Sequence, residues 1–227
     1  MRFIDVHASE ARTGSAMTHN IKPLFIAGGF STRKGTPKHL MPHSDGRPAY
    51  QHTLEHLVNA LPLTDTFYIS LRDEDQTLEM DLAGSHKISK HIEPIYDSTS
   101  VPLGPVAGLI AAHICAPSAT WLIVGCDYPL LTAHTLQQLM REYVPPVTCF
   151  GNEQGLLEPL LAIWSPRALG RLAENVAAGK CGPSMTVEEL DGKILTPHDE
   201  NWIFGANTTE DWGAAMSIAK LGANPSA

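Results

Sequence analysis

Between Pro23 and Leu40 the chain reads PLFIAGGFSTRKGTPKHL, and this stretch holds three cations and three glycines. An apolar run over residues 24–27 ends in Gly28-Gly29. Ser31, Thr32, Arg33, Lys34, Gly35, Thr36 and Lys38 follow. A buried strand that empties into such a loop is a receptor for a polyphosphate, because backbone N–H dipoles and cations converge there on one anion. Two more loaded positions follow apolar runs: Asp97 after residues 92–96 and Asp127 after residues 121–126. Familiar phosphate grips do not fit. A Walker A loop needs Gly-Lys followed by Ser or Thr. Here Gly35 is followed by Thr36-Pro37-Lys38, and Pro37 disfavours helix at Thr36. No G-x-G-x-x-G is present either, so nicotinamide and flavin chemistry fall in rank.

These residues need a scaffold. Strands are predicted at 24–27, 67–71, 92–96, 121–126, 147–150 and 160–164. Helices are predicted between and after them, at 48–61, 105–115, from a Thr132 cap to about Tyr143, at 166–178 and at 208–221. In the first helix Leu54, Leu57, Val58 and Leu61 share one apolar face. Alternating β and α elements with mostly apolar strands predict an α/β fold: a largely parallel sheet with helices on both faces. Such sheets bind ligands beyond the carboxyl ends of their strands, so the Gly28 loop, Asp97 and Asp127 are expected on one rim. Residues 1–20 read as a flexible N-terminal extension, 21–221 as a single domain and 222–227 as a tail. Residues 151–158 and 179–184 read as turn and loop.

Net charge is −8, which argues against a nucleic-acid or anionic-membrane surface. The four cysteines contain no C-x-x-C pair, so a structural zinc site is not expected. Three of them lie in apolar stretches, which suits buried, reduced thiols and a cytoplasmic protein. No run is long and apolar enough to predict a membrane span.

The run Ala27-Gly28-Gly29-Phe30-Ser31-Thr32-Arg33-Lys34-Gly35, with Lys38 and Leu40, resembles the A-G-G-x-S-x-R-M-G…K-x-L signature of nucleotidyltransferases of the molybdenum cofactor guanylyltransferase (MobA-like) type. Gly104-Pro105-Val106-Ala107-Gly108 is similar to that family's G-P-L-A-G turn, and Cys126-Asp127-Tyr128-Pro129 to its C-D-x-P segment. Glu158-Pro159-Leu160-Leu161-Ala162 and Asn207-Thr208-Thr209-Glu210-Asp211 match further segments in order. The departures are Lys34 for methionine and Thr209 for proline. The resemblance implies a three-layer, Rossmann-like nucleotide-diphospho-sugar transferase fold and transfer of GMP from GTP to the terminal phosphate of molybdopterin, or Mo-molybdopterin, with release of pyrophosphate. It implies Lys38, Arg33 and Asp127 as catalytic residues. Ala27, Gly28, Gly29, Ser31, Lys38, Asp97, Gly104 and Asp127 would hold the nucleotide, and Asp127 with Asn207 a Mg²⁺ cofactor. A-G-G together with G-P-x-A-G favours GTP over CTP. Transient contact with other molybdenum cofactor proteins is implied too.

Alternatives remain at this level. One is a related cytidylyl- or sugar-nucleotide transferase, and another is a non-catalytic GTP-binding homologue. A third is zinc chemistry at His52-Thr53-Leu54-Glu55-His56, an H-x-x-E-H string. The apolar face through Leu54 and Leu57 predicts that His52, Glu55 and His56 occupy a solvated face. A five-residue pattern also recurs by chance in a chain with 11 histidines. Gly28-Gly29 as a plain turn, Lys38 and Arg33 as surface charges, and Asp97, Asp127 and Asn207 as turn or cap residues are the bland readings.

Overall fold

A computed structural model describes residues 21–28, 36–80, 89–97 and 103–222. The extension 1–20, together with Gly29, Ser31, Arg33 and Lys34, lies outside them. The elements are β1 Ile21–Ile26, α1 Ala49–Ala60, β2 Thr66–Leu71, α2 Glu74–Glu79, β3 His91–Tyr96, α3 Pro105–Cys115, β4 Thr120–Gly125 and α4 Ala133–Arg141. They continue as β5 Val147–Gly151, β6 Leu157–Trp164, α5 Pro166–Ala177, α6 Pro183–Glu189, β7 Lys193–Leu195 and α7 Thr209–Gly222. The strands form one sheet in the order β3-β2-β1-β4-β6-β5-β7. β6 runs against both of its neighbours, β4 and β5, and the other adjacent pairs are parallel.

Period-2 alternation explains the two-sided core. Along β1, Phe25 and Ala27 join the cluster of Leu54, Leu57, Leu122 and Leu136 on one face. Leu24 and Ile26 join Leu109, Trp121, Trp164 and Leu169 on the other. Each such fully buried side chain contributes about 1.5–3 kcal/mol. A central strand with two apolar faces needs helices on both sides, which is the predicted architecture. Pro94 sits in β3, at the sheet edge, where a missing N–H is tolerated. Pro159 sits in β6 opposite the register shift between Cys149 and Phe150, so β6 begins earlier than expected from a proline there.

α2, α6 and β7 have no counterpart among the predicted elements. The loop assigned to 179–184 instead passes into α6 at Pro183. The cysteines also differ from expectation. Cys149 is buried and Cys126 partly covered, whereas Cys115 and Cys181 are exposed.

Gln76, on α2, is the stitch at the top of β1. It is buried, donates from Nε2 to the Ala27 carbonyl at 2.9 Å and accepts from the Arg72 amide at 2.8 Å. Gln76→Ala removes the hydrogen bonds to the Ala27 carbonyl and the Arg72 amide and is expected to cost about 2–3 kcal/mol. Urea unfolding with an unchanged slope measures it; a loss below about 0.5 kcal/mol would mean water replaces the amide.

Candidate active site

Three loops beyond strand ends meet over a cleft of about 350 Å³. Its walls include Ala27, Gly28, Lys38, Gly104 and Asp127. Each wall has a local cause.

Gly28 closes β1. The amides of Ala27 and Gly28 both donate to the Ser70 carbonyl, at 3.0 and 2.8 Å. A Cβ on Gly28 would stand 3.3 Å from the Arg72 nitrogen and the Leu71 carbonyl carbon, so the tight approach to β2 favours glycine. These two N–H groups are already used by the sheet and are not open to a phosphate.

Gly104 has φ +58°, in the region that favours glycine, and precedes Pro105 at the first turn of α3. Both residues line the cleft, so the positive end of an 11-residue helix faces it. Gly108 lets α3 lie hard on the sheet. A Cβ there would fall 2.3 Å from Ser70 Oγ and 2.9 Å from Ile26 Cδ1.

Asp127 follows β4. Its Oδ1 is buried and has no hydrogen-bond partner. Burial pushes the Asp127 carboxyl above its ordinary value, and the nearby Lys38 ammonium pulls it back only in part. Gly125 makes room for that carboxylate, since a Cβ there would stand 2.6 Å from Oδ1. A second carboxylate, Glu158 on β6, accepts a 2.6 Å hydrogen bond from Tyr128 Oη. Burial raises its pKa first, and the charge of Asp127 adds to the rise. The orphaned Asp127 oxygen in the cleft wall is a hard donor that a divalent cation would satisfy.

Lys38 lies in a short 3-10 turn, Lys38–Leu40, and donates from Nζ to Asn207 Oδ1 at 3.0 Å. Asn207 is thus more than a helix cap. The cap of α7 is Thr208 Oγ1, which accepts from the Asp211 amide at 3.0 Å, while the Asp211 carboxylate accepts from the amides of Asn207 and Thr208. The Ala206 amide donates to the Asp127 carbonyl at 2.8 Å, so the Asn207 and Asp127 loops are tied directly.

Asp97 follows β3, and its amide donates to the Leu71 carbonyl at 3.0 Å. It is not among the residues lining the cleft. Burial raises its pKa, and Arg72 opposes that rise. His39, Arg72 and Gln76 line the cleft and are residues that sequence reasoning missed. His39 is buried, and burial together with the Arg72 charge lowers its pKa to about 4, so it stands in the cleft wall as neutral imidazole. No spacing rule marks these residues, because α2 and the 3-10 turn are too short to show a period.

The H-x-x-E-H string does not form a metal pair. Glu55 is engaged by Arg47, and burial lowers the pKa of His56 to about 4. The face expected to be solvated is covered, because residues 42–48 fold back over it.

A family model described as the MobA-like NTP transferase domain matches residues 24–191. A probable molybdenum cofactor guanylyltransferase of Rhodopirellula baltica is 31% identical over 161 residues, covering 66% of this chain and 72% of that protein. One from Thermococcus gammatolerans is 26% identical over 196 residues, covering 83% of this chain and 95% of that protein. Among solved structures, molybdopterin-guanine dinucleotide biosynthesis protein A from Archaeoglobus fulgidus superposes with a TM-score of 0.67 at 20% identity, over 88% of this chain and all of that one. At that identity the likeness concerns the fold.

Proposed function

We propose a specific reaction on one premise: the chain belongs to the MobA-like NTP transferase family and is a nucleotidyltransferase. The reaction is transfer of GMP from GTP to the terminal phosphate of molybdopterin, free or molybdenum-loaded, with Mg²⁺ as cofactor. The observation that carries it is that Lys38, held by Asn207, and Asp127 line one cleft with the N-terminus of α3. The choice of guanine and of molybdopterin is supported by relatives named molybdenum cofactor guanylyltransferase. The four cysteines are free thiols, which supports a reducing, cytoplasmic setting.

An oxygen of the acceptor phosphate attacks the α-phosphorus of GTP. The bond from that phosphorus to the bridging oxygen breaks, and pyrophosphate leaves with the electron pair. A phosphate monoester has a second pKa of about 6, so the nucleophile is already ionised at neutral pH and needs no base. The chain's task is to bring two polyanions together and to stabilise charge on the leaving group. Lys38 supplies a fixed ammonium, oriented by Asn207. The dipole of α3 supplies partial positive charge. Asp127 would hold Mg²⁺, which when bound neutralises phosphate charge. Arg33, Ser31 and Gly29 remain candidates for the phosphates and base by family resemblance alone, and Asp97 for the nucleotide.

A thermal-shift panel of GTP, CTP, UTP and ATP with Mg²⁺ tests the base. GTP is expected to give the largest rise, since a ligand at about a hundred times its Kd stabilises by about 2.7 kcal/mol. A larger rise with CTP would support a cytidylyltransferase. GTP binding without pyrophosphate release in the presence of molybdopterin would support a non-catalytic homologue.

A further inference from the structure

We propose that His43, Asp45 and His52 form a binding site for a Zn²⁺-class divalent cation, separate from the nucleotide cleft. The three residues each offer one donor atom, and these donors lie within 4.8 Å of one another. They come from two pieces of chain that fold onto each other. Residues 42–48 make a tight hairpin, closed by a bridge between Pro42 and Pro48, with His43 N donating to Arg47 O and Gly46 at φ +84°. The hairpin lies against the first turn of α1, which carries His52. The His43 and His52 rings stack with centroids 3.8 Å apart.

The tautomer of His43 is the second observation. Its Nε2 lies 3.1 Å from the Pro129 carbonyl, which can only accept, so Nε2 carries the proton. Nδ1 is left with its lone pair directed at Ser44 Oγ, 3.1 Å away, a hydroxyl that can turn aside. A backbone carbonyl that holds the distal N–H is how metal-ligating histidines are commonly oriented. Asp45 is held in place on both oxygens. Its Oδ2 accepts from Arg47 Nε at 2.7 Å, while Oδ1 accepts from the Arg47 amide at 3.0 Å and faces His52 Nε2 at 2.9 Å. A cation would take the place of the proton between Oδ1 and His52, and the Arg47 charge is already shared with Glu55. Both rings must turn out of their stack to aim at one ion. Two imidazole nitrogens and one carboxylate oxygen, with a fourth position for water, form a donor set suited to Zn²⁺. The ion would brace the hairpin against Pro129, on the loop that also carries Asp127. The H-x-x-E-H string therefore contributes His52 alone, with partners outside the string.

Zinc chloride titrated by calorimetry into the full, chelator-stripped chain tests the site, with zinc per chain measured after dialysis. The wild type is expected to retain about one equivalent. His52→Gln, and the double variant His43→Gln with His52→Gln, should weaken binding at least about tenfold. Asp127→Asn should bind zinc as the wild type does. Melting each zinc-free variant separates a damaged fold from a lost ligand. Equal zinc retention by the double variant, or loss of zinc in Asp127→Asn, would overturn the assignment.

Discussion

Asp127→Asn is expected to abolish most nucleotidyl transfer while making the metal-free protein harder to melt. The two effects share one cause. The Asp127 carboxylate is buried, with Oδ1 unpaired, and burial outweighs the pull of Lys38. Its folded pKa therefore lies above the unfolded value of 3.8. Between those two values the native state binds the proton more tightly, so the group's contribution to stability falls as pH rises through that window. Above both values the metal-free enzyme bears the cost of burying this charge, offset in part by Lys38. Asparagine removes that charge and keeps the shape. Activity moves the other way, since loss of such a transition-state electrostatic contact typically costs about 10²–10³ in rate. Melts in chelator, and again with Mg²⁺ and GTP, separate the two. The wild type should gain stability from Mg²⁺ and GTP, and the variant much less. Near wild-type turnover at saturating Mg²⁺ would remove Asp127 from the metal role.

Lys38→Ala should lower kcat by tens- to hundreds-fold with a small change in KM for GTP. A unit charge pair at about 4 Å is worth roughly 4 kcal/mol at an effective dielectric near 20, and part of that, realised only in the transition state, gives this range. The lysine is held by Asn207 at 3.0 Å, so its position is set before substrate arrives. Asn207→Ala should therefore reproduce part of the loss without removing the charge. If Lys38→Ala raises KM and leaves kcat unchanged, the lysine binds ground state and transition state alike.

Elements with chemical punctuation were legible in the sequence. Pro105 and Cys115 bound α3 as predicted, Thr132 caps α4 in a capping box with Thr135, and Pro166 opens α5. The central strands were legible because both of their faces are apolar. α2, α6 and β7 were not, because six, seven and three residues are too few to display a period. Within the site, Asp127 stood out as an acid after an apolar run, and Lys38 as one of a few clustered cations. Asn207 needed the fold, since a polar residue before a helix reads as a cap until its side chain is seen to turn toward Lys38. Glu158 and His39 were hidden for a related reason. Their environment is supplied by residues distant in sequence, and burial, not residue type, sets their character.

The segment that braces Lys38 and the Asp127 loop comes late in the chain. Ala206 is bonded to the Asp127 carbonyl, Asn207 holds Lys38, and buried Trp212 donates from Nε1 to the Pro42 carbonyl at 3.0 Å. The sheet, by contrast, is complete at Leu195. During synthesis the chain emerges from its N-terminus at about 5–20 residues per second. A growing polypeptide can thus own its whole sheet, with Lys38 and Asp127 in place along the chain, for about 0.6 to 3 seconds before Asn207 and Trp212 are added. Until then it lacks the residue that aims the lysine. A product truncated shortly after β7 would carry every strand of the sheet yet lack Asn207, and Lys38 would have no partner there to orient it.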